Sequence, residues 1–136
     1  MPWTYQQSTG NLTDPTGAPT GQGYSGNNAG LNNPVDEYLM DQGPIPHGSY
    51  TIGPAFTHPM CGPVSMRLAP GPATVTGGRD GFLMHGGLQS DYISPDGLTI
   101  APASPAQSAS DGCIIMARAV RQLVSASADR TLQVIA

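Results

Sequence analysis

The sequence of 136 residues contains no lysine, and charged residues of any kind make up only 10% of it. Five arginines stand against nine carboxylates, so the formal net charge is −4. A negatively charged chain is repelled by polyphosphate and by anionic lipid surfaces. We therefore expect no nucleic-acid partner.

Long apolar runs are missing as well. No stretch approaches the roughly 18 consecutive apolar residues of a membrane-spanning helix, so we expect no membrane insertion. The first seven residues contain neither a positive nor an apolar segment, which predicts the absence of a Sec-type export signal. Two cysteines are too few to indicate a disulfide framework, and they do not identify the redox compartment.

Turn-forming residues are abundant instead. The chain has 18 glycines and 14 prolines, which favours many turns and short strands over long helices. Tyrosine, isoleucine, leucine and valine recur at strand-like spacing almost to the C-terminus, which argues against disorder. The length fits one domain, and we predict a mainly β domain over residues 1–136, of sandwich or barrel type.

The order of elements follows from the same patterns. We predict a strand with a turn between Trp3 and Leu12, a long surface loop over 14–33 and a short helical turn over 34–41. Two prolines and a glycine then force an extended approach to a strand of alternating Tyr50 and Ile52. Further strands are predicted over 64–68, 81–85 and 131–135, with a loop or lid over 91–107.

One helix is predicted near the C-terminus. Four apolar residues fall at helical spacing and form one stripe: Met116, Val120, Leu123 and Val124. Arg118 and Arg121 lie off this stripe. We favour an ordinary solvent-facing role for both arginines, and substrate binding is the alternative.

A cysteine follows a glycine turn shortly before this helix, in the tract Ser110-Asp111-Gly112-Cys113-Ile114. Free backbone N–H groups and the helix dipole at such a position favour a thiolate and a developing oxyanion. A thiol nucleophile needs a base, and His85 lies at a predicted strand end with glycines after it. Cys113 and His85 are therefore the candidate nucleophile and base.

Three ordered motifs connect these residues to a known family. The tract Gly43 to Ile52 reads Gly-Pro-Ile-Pro-x-Gly-x-Tyr-x-Ile, a strand then ends in His85-Gly86, and Ser-x-Gly-Cys-Ile follows at Ser110 to Ile114. In this order the motifs resemble the L,D-transpeptidase catalytic domain. The N-terminal part, with Trp3, Tyr5, Ser8-Thr9-Gly10, Gly23-Tyr24-Ser25-Gly26 and Asn32-Asn33-Pro34, resembles the compact branch that type VI secretion systems deliver as antibacterial effectors.

This resemblance implies chemistry on peptidoglycan stem peptides. A cysteine thiolate would attack the carbonyl between the third stem residue and the terminal D-Ala, and water or a D-amino acid would resolve the acyl-enzyme. Cys113 would be the nucleophile, His85 the base and later the acid, and the Gly112 and Cys113 amides the oxyanion donors. Ser110 would shape the turn.

The expected substrate-binding residues are Gly86, Asp111, Arg118 and Arg121, of which the two arginines would replace an arginine that the broader family has near the cysteine. The resemblance implies that no metal or organic cofactor is needed, and it also implies partners. Partners would be tetrapeptide stems, D-amino acids, components of the secretion system and a cognate immunity protein that blocks the cleft. Secretion would need no Sec signal, and the protein would act in the periplasm of a recipient cell.

The sequence departs from the broader family at two positions. That family has histidine and arginine where this chain has Asp111 and Ile115, so we predict that the Asp111 carboxylate points away from the sulfur, towards a substrate ammonium. The departures keep open a descendant that binds peptidoglycan without turnover. The segment between His85 and Cys113 is also longer than is usual for the effector branch.

Other readings of the histidines and cysteines remain open. His58 and Cys61 with His85 and Cys113 supply the four ligands of a zinc-stabilised binding module, although only one pair is close in sequence. Cys61 is interpreted as structural, with a disulfide to Cys113 as the alternative. His47 and His58 are interpreted as surface or turn residues. Papain-like hydrolases have cysteine before histidine, the reverse of the order here.

Overall fold

The computed structural model describes residues 2–136, which form twelve strands, one α-helix and two single turns of 3-10 helix at Asn28–Gly30 and Pro34–Asp36. The helix is α1 (Arg118–Ala126). The strands are β1 (Trp3–Gln6), β2 (Asn11–Thr13), β3 (Pro19–Gln22), β4 (Tyr24–Ser25), β5 (Gly48–Ile52), β6 (Phe56–His58), β7 (Gly62–Pro70), β8 (Leu83–His85), β9 (Tyr92–Ile93), β10 (Ile100–Ala101), β11 (Ile114–Ile115) and β12 (Thr131–Ile135).

Ten of these strands form one strongly curved sheet. Its order is β3-β2-β1-β12-β5-β7-β8-β11-β4, and β6 pairs with β7 outside this path. The two end strands, β3 and β4, are separated in the chain only by Gly23, so the sheet curls back on itself into a nearly closed barrel. This architecture confirms the predicted mainly β fold of sandwich or barrel type with one C-terminal helix.

The barrel interior is filled by alternate residues of its strands. β5 and β12 bury Tyr50, Ile52, Leu132 and Val134, while the residues between them along each strand are more exposed. An alternation of this kind presents one face of each strand to the core. The strand bounds predicted for this part of the chain are confirmed because the apolar period of two is unbroken there.

The helix α1 differs in part from its prediction. Val120 and Val124 are buried, but Leu123 is 53% exposed and Arg121 is buried in its place. Met116 is buried and lies before the helix. The solvent-facing interpretation is therefore wrong for Arg121. At nine residues α1 is the only α-helix among residues 2–136, and no helix in that range could cross a membrane.

Two segments predicted as loops contain strands. The predicted loop over 14–33 holds β3 and β4. Glycines in and between these strands let neighbouring segments pack closely against them. A Cβ at Gly21 would come within 2.6 Å of the Val120 side chain, and one at Gly23 within 1.8 Å of a backbone oxygen. The predicted lid over 91–107 holds the two-stranded antiparallel sheet of β9 and β10. Because backbone pairing rather than apolar alternation defines these strands, the sequence pattern did not reveal them.

Candidate active site

The candidate site lies where two parallel strands run side by side. β8 and β11 pair with His85 opposite Ile115, and Cys113 precedes Ile115 by two residues. Cys113 lies directly before β11, outside the paired residues, and the pairing of the two strands brings it near the end of β8. The side chains of Cys113 and His85 accordingly line one pocket together with Cys61 and Gly86, and we call it the histidine pocket.

His85 is held in the tautomer that a base needs. Its side chain is buried, and Nδ1 lies 2.7 Å from the carbonyl oxygen of Gly86. A carbonyl oxygen can only accept, so Nδ1 carries the hydrogen and Nε2 of the neutral ring keeps its lone pair. Burial lowers the pKa of His85 below its ordinary value of 6.5, and the charge of Arg121 acts in the same direction.

The thiol of Cys113 is protonated at rest. Burial raises its pKa to about 11, Asp111 adds to the rise, and the positive charge of Arg79 opposes it. The thiol Sγ donates to the carbonyl oxygen of Gly81 at 3.9 Å. The histidine pocket therefore contains a neutral thiol and a neutral imidazole, so an attack by the sulfur requires proton transfer to accompany it.

The protonated thiol of Cys113 contradicts the expectation of a thiolate favoured by a helix N-terminus. Cys113 is followed by the short strand β11, and α1 begins only at Arg118. The helix dipole falls off within its first turn, so it does not reach the sulfur in the predicted way. The predicted helix begins too close to the cysteine because Met116 falls at helical spacing from Val120, although it lies before α1.

Ser110 organises the turn that carries the nucleophile, in agreement with its expected role. It is fully buried, and its Oγ accepts from the N–H groups of Gly26 at 2.8 Å and Gly112 at 3.1 Å. The same hydroxyl donates to the carbonyl oxygen of Cys113 at 2.5 Å. The Gly112 N–H is thus already engaged, which corrects the expectation that it is a free oxyanion donor.

Arg79 was missed by the sequence analysis and clamps this turn from the other side. Its guanidinium is buried and donates to the carbonyl oxygens of Gly43, Pro44 and Asp111 at 2.8 to 2.9 Å, and also to that of Glu37. Gly112 has φ +140°, and a Cβ there would come within 2.5 Å of Nη2 of Arg79. The glycine therefore provides both the backbone conformation and the space for the guanidinium.

The Tyr24 to Asn27 segment also holds the turn at Ser110 to Cys113, through hydrogen bonds to the backbone of that turn. Ser25 Oγ donates to the carbonyl oxygen of Gly112 at 3.1 Å, and Asn27 Nδ2 donates to that of Ser110 at 2.8 Å. Tyr24 OH donates to Asp91 Oδ2 at 2.5 Å. These residues occur in or beside the Gly-Tyr-Ser-Gly motif, which could have indicated their role.

Two further pockets adjoin the histidine pocket. The first, which we call the acidic pocket, contains Asp41, Asp80 and Asp111 and reaches Cys113. One oxygen of Asp111 accepts from Asn27 at 3.2 Å, yet its charge still adds to the rise in the pKa of the thiol. The second contains both Arg118 and Arg121 and shares Gly86 with the histidine pocket, and we call it the arginine pocket. The four predicted substrate-binding residues thus line three neighbouring pockets, which we together call the cleft.

The other histidines and cysteines do not assemble a metal site. His47 pairs with Glu37 at 2.9 Å on the surface, and His58 Nδ1 accepts from the backbone of a turn. Within residues 2–136 no group of three or more histidine, cysteine or acidic side chains is close enough to hold a metal ion, which argues against the zinc-stabilised module. Cys61 and Cys113 are both free thiols.

The fold and the site together define a small barrel-like domain with a cysteine and a histidine in one cleft. The sequence model of the Tlde1 domain matches residues 20–135, and the chain belongs to this family of type VI secretion effectors. Comparison with curated proteins and with solved structures gave no match. The match also accords with the expected delivery into recipient cells.

Proposed function

We propose that this effector is a cysteine acyl-transferase acting on peptidoglycan stem tetrapeptides, as an L,D-carboxypeptidase and L,D-transpeptidase. The single observation that carries the proposal is the histidine pocket, which the side chains of Cys113 and His85 line together at the ends of two neighbouring parallel strands. Family membership and the ordered motifs that resemble L,D-transpeptidases support the same conclusion.

The chemistry follows from the protonation states. The thiol proton of Cys113 moves to Nε2 of His85 as the sulfur bonds to the carbonyl carbon of the third stem residue. The C–N bond to the terminal D-Ala then breaks, and the imidazolium returns the proton to the leaving amine. Water or the amine of a D-amino acid then attacks the thioester carbon while His85 accepts its proton. The C–S bond breaks, and His85 returns the proton to the sulfur of Cys113. The amide of Cys113 remains the candidate donor to the oxyanion.

Location and partners follow from the substrate and the family. Peptidoglycan stems lie in the periplasm, so the proposed site of action is the periplasm of the recipient cell. An effector family of this kind implies a cognate immunity protein, and we propose that it covers the cleft containing Cys113.

Incubation of the purified protein with disaccharide-tetrapeptides, with and without excess D-amino acid, tests the proposal by mass spectrometry. We expect loss of D-Ala, or its replacement, in the wild type, and at least about a hundredfold slower reaction in Cys113→Ala and His85→Ala. Cys61→Ser is the matched control and should remain active.

Unchanged activity in both Cys113→Ala and His85→Ala would overturn the assignment of the site. Peptide binding without any D-Ala release, together with unchanged toxicity of Cys113→Ala, would instead identify a non-catalytic peptidoglycan-binding protein.

A further inference from the structure

Arg121 is a buried cation without a counter-ion. Its side chain is 7% exposed, and no carboxylate pairs with it among residues 2–136. Nε donates to the carbonyl oxygen of Met116 at 3.0 Å, and Nη1 donates to those of Pro63 and Val64 at 2.7 and 3.2 Å. Buried charges in proteins are normally paired, so an unpaired guanidinium in a pocket indicates an anionic ligand.

The remaining nitrogen of Arg121 lies beside Gly86, and the side chain lines the arginine pocket. Nη2 makes no hydrogen bond within residues 2–136 and lies 2.9 Å from where a Cβ on Gly86 would be. Glycine at this position, directly after the base, therefore leaves the guanidinium accessible from the backbone loop that follows His85. Arg79 differs, because both of its terminal nitrogens already donate to two carbonyl oxygens each.

The arginine pocket concentrates positive charge in a negatively charged protein. Arg118 is exposed at its rim, and no carboxylate side chain among the described residues lines it. Two of the five cations of the chain are thus gathered beside the His85 loop, whereas the acidic pocket has three aspartates and only one cation, Arg79. The acidic pocket and the arginine pocket therefore carry net charges of opposite sign.

The reaction fixes which part of the peptide lies at which end. His85 protonates the leaving amine, so the released residue must lie on the histidine side of the scissile bond. The arginine pocket continues the cleft on that side through Gly86 and Gly87. In a tetrapeptide the released D-Ala carries the free C-terminal carboxylate one carbon from its amine. That carboxylate therefore comes next to the guanidinium groups.

We propose that Arg121, assisted by Arg118, forms a carboxylate subsite for the D-amino acid that is released from the stem or added to it. This inference rests on the proposed function and deepens it by fixing the direction of the bound peptide. Because exchange is the reverse of release, an incoming D-amino acid uses the same subsite. The planar guanidinium of an arginine matches the geometry of a carboxylate, so it also favours peptides with a free C-terminus.

The test compares two ligands that differ only at the C-terminus: a disaccharide-tetrapeptide and its C-terminal carboxamide. Calorimetry on Cys113→Ala measures binding without turnover, and hydrolysis by the wild type measures the reaction. We expect the carboxamide to bind at least about tenfold more weakly, because it loses a charged hydrogen bond. D-alanine should likewise outcompete D-alaninamide in the exchange reaction.

Substitutions identify the guanidinium groups responsible. Arg118→Gln and Arg121→Gln, made in the Cys113→Ala background, should reduce the preference for the carboxylate. Arg67→Gln should not, because this exposed arginine lines none of the three pockets. If Arg121→Gln fails to fold, two measurements still test the subsite. One compares binding of the tetrapeptide and its carboxamide to Cys113→Ala, and the other repeats this comparison with Arg118→Gln added.

Equal binding of both ligands by Cys113→Ala, with hydrolysis of the tetrapeptide by the wild type, would overturn the subsite and leave the proposed function standing. Binding of neither ligand would overturn the peptide substrate and the subsite together. A preference for the carboxylate that survives both arginine substitutions would overturn the assignment to Arg118 and Arg121.

Discussion

The side chains of Cys113 and His85 are both uncharged at neutral pH, and burial is the main cause for each. Desolvation disfavours the thiolate and the imidazolium alike, so it raises the pKa of the thiol and lowers the pKa of the imidazole. At neutral pH the resting pair therefore contains a thiol and not a reactive thiolate. In the proposed reaction the thiolate forms only as substrate is attacked, so we expect the resting thiol to resist alkylation at neutral pH.

The pH profile should reveal this arrangement. The reaction requires neutral His85, whose pKa is lowered, so kcat/KM should fall with decreasing pH only below a midpoint under 6.5. Above neutrality the rate should stay level, while iodoacetamide alkylation of Cys113 rises with a midpoint near 11. The Cys61→Ser background restricts labelling to one thiol. A bell-shaped profile with a thiolate formed below pH 7 would contradict a resting neutral pair.

At single residues, the sequence indicates candidates where chemistry requires a particular side chain. Cys113 and His85 stood out because a nucleophile and a base need defined groups after a turn and at a strand end. Arg79 did not, because its partners are main-chain carbonyls that leave no mark on the sequence. The only local signal was its position among glycines, in Gly77-Gly78-Arg79-Asp80-Gly81.

Among the elements, the loop that carries Arg79 acts as a clamp between two segments distant in the chain. It connects the Gly43-Pro44 tract to the Asp111-Gly112 turn through hydrogen bonds that a planar guanidinium makes simultaneously. The clamp fixes the backbone directly before the nucleophile. It also brings a positive charge near enough to oppose the rise in the pKa of the Cys113 thiol.

Arg79→Lys tests this positioning role against a matched residue. Arg130 likewise donates to several carbonyl oxygens, those of Ile52, Gly53 and Val124 among them, and lines none of the three pockets. Arg79→Lys and Arg130→Lys should each lower the free energy of unfolding by about 1–3 kcal/mol. Only Arg79→Lys should reduce kcat of the folded fraction, by about tenfold, and change the alkylation midpoint of Cys113. Equal kcat in the two variants would show that Arg79 only stabilises the fold.

At the scale of the whole molecule, the barrel depends on contacts between the two ends of the chain. β1 pairs in parallel with β12, which in turn pairs with β5. The matched family region begins at residue 20, yet Trp3, Tyr5 and Leu12 before it are buried in the same core. Apolar alternation predicted these strands, but parallel pairing between distant segments has no local signal and could not be predicted.

The central place of β12 yields a test of the barrel that is independent of chemistry. Leu132 is 1% exposed between β1 and β5, whereas Leu123 on α1 is 53% exposed. Leu132→Ala removes the same atoms as Leu123→Ala but leaves a cavity, so it should lower the free energy of unfolding in urea by about 2–5 kcal/mol. Leu123→Ala should cost less than about 1 kcal/mol. Because no residue of β12 lines any of the three pockets, the folded fraction of Leu132→Ala should retain the D-Ala-releasing activity proposed above. Equal losses of stability in the two variants would mean that β12 does not lie at the centre of the packed barrel.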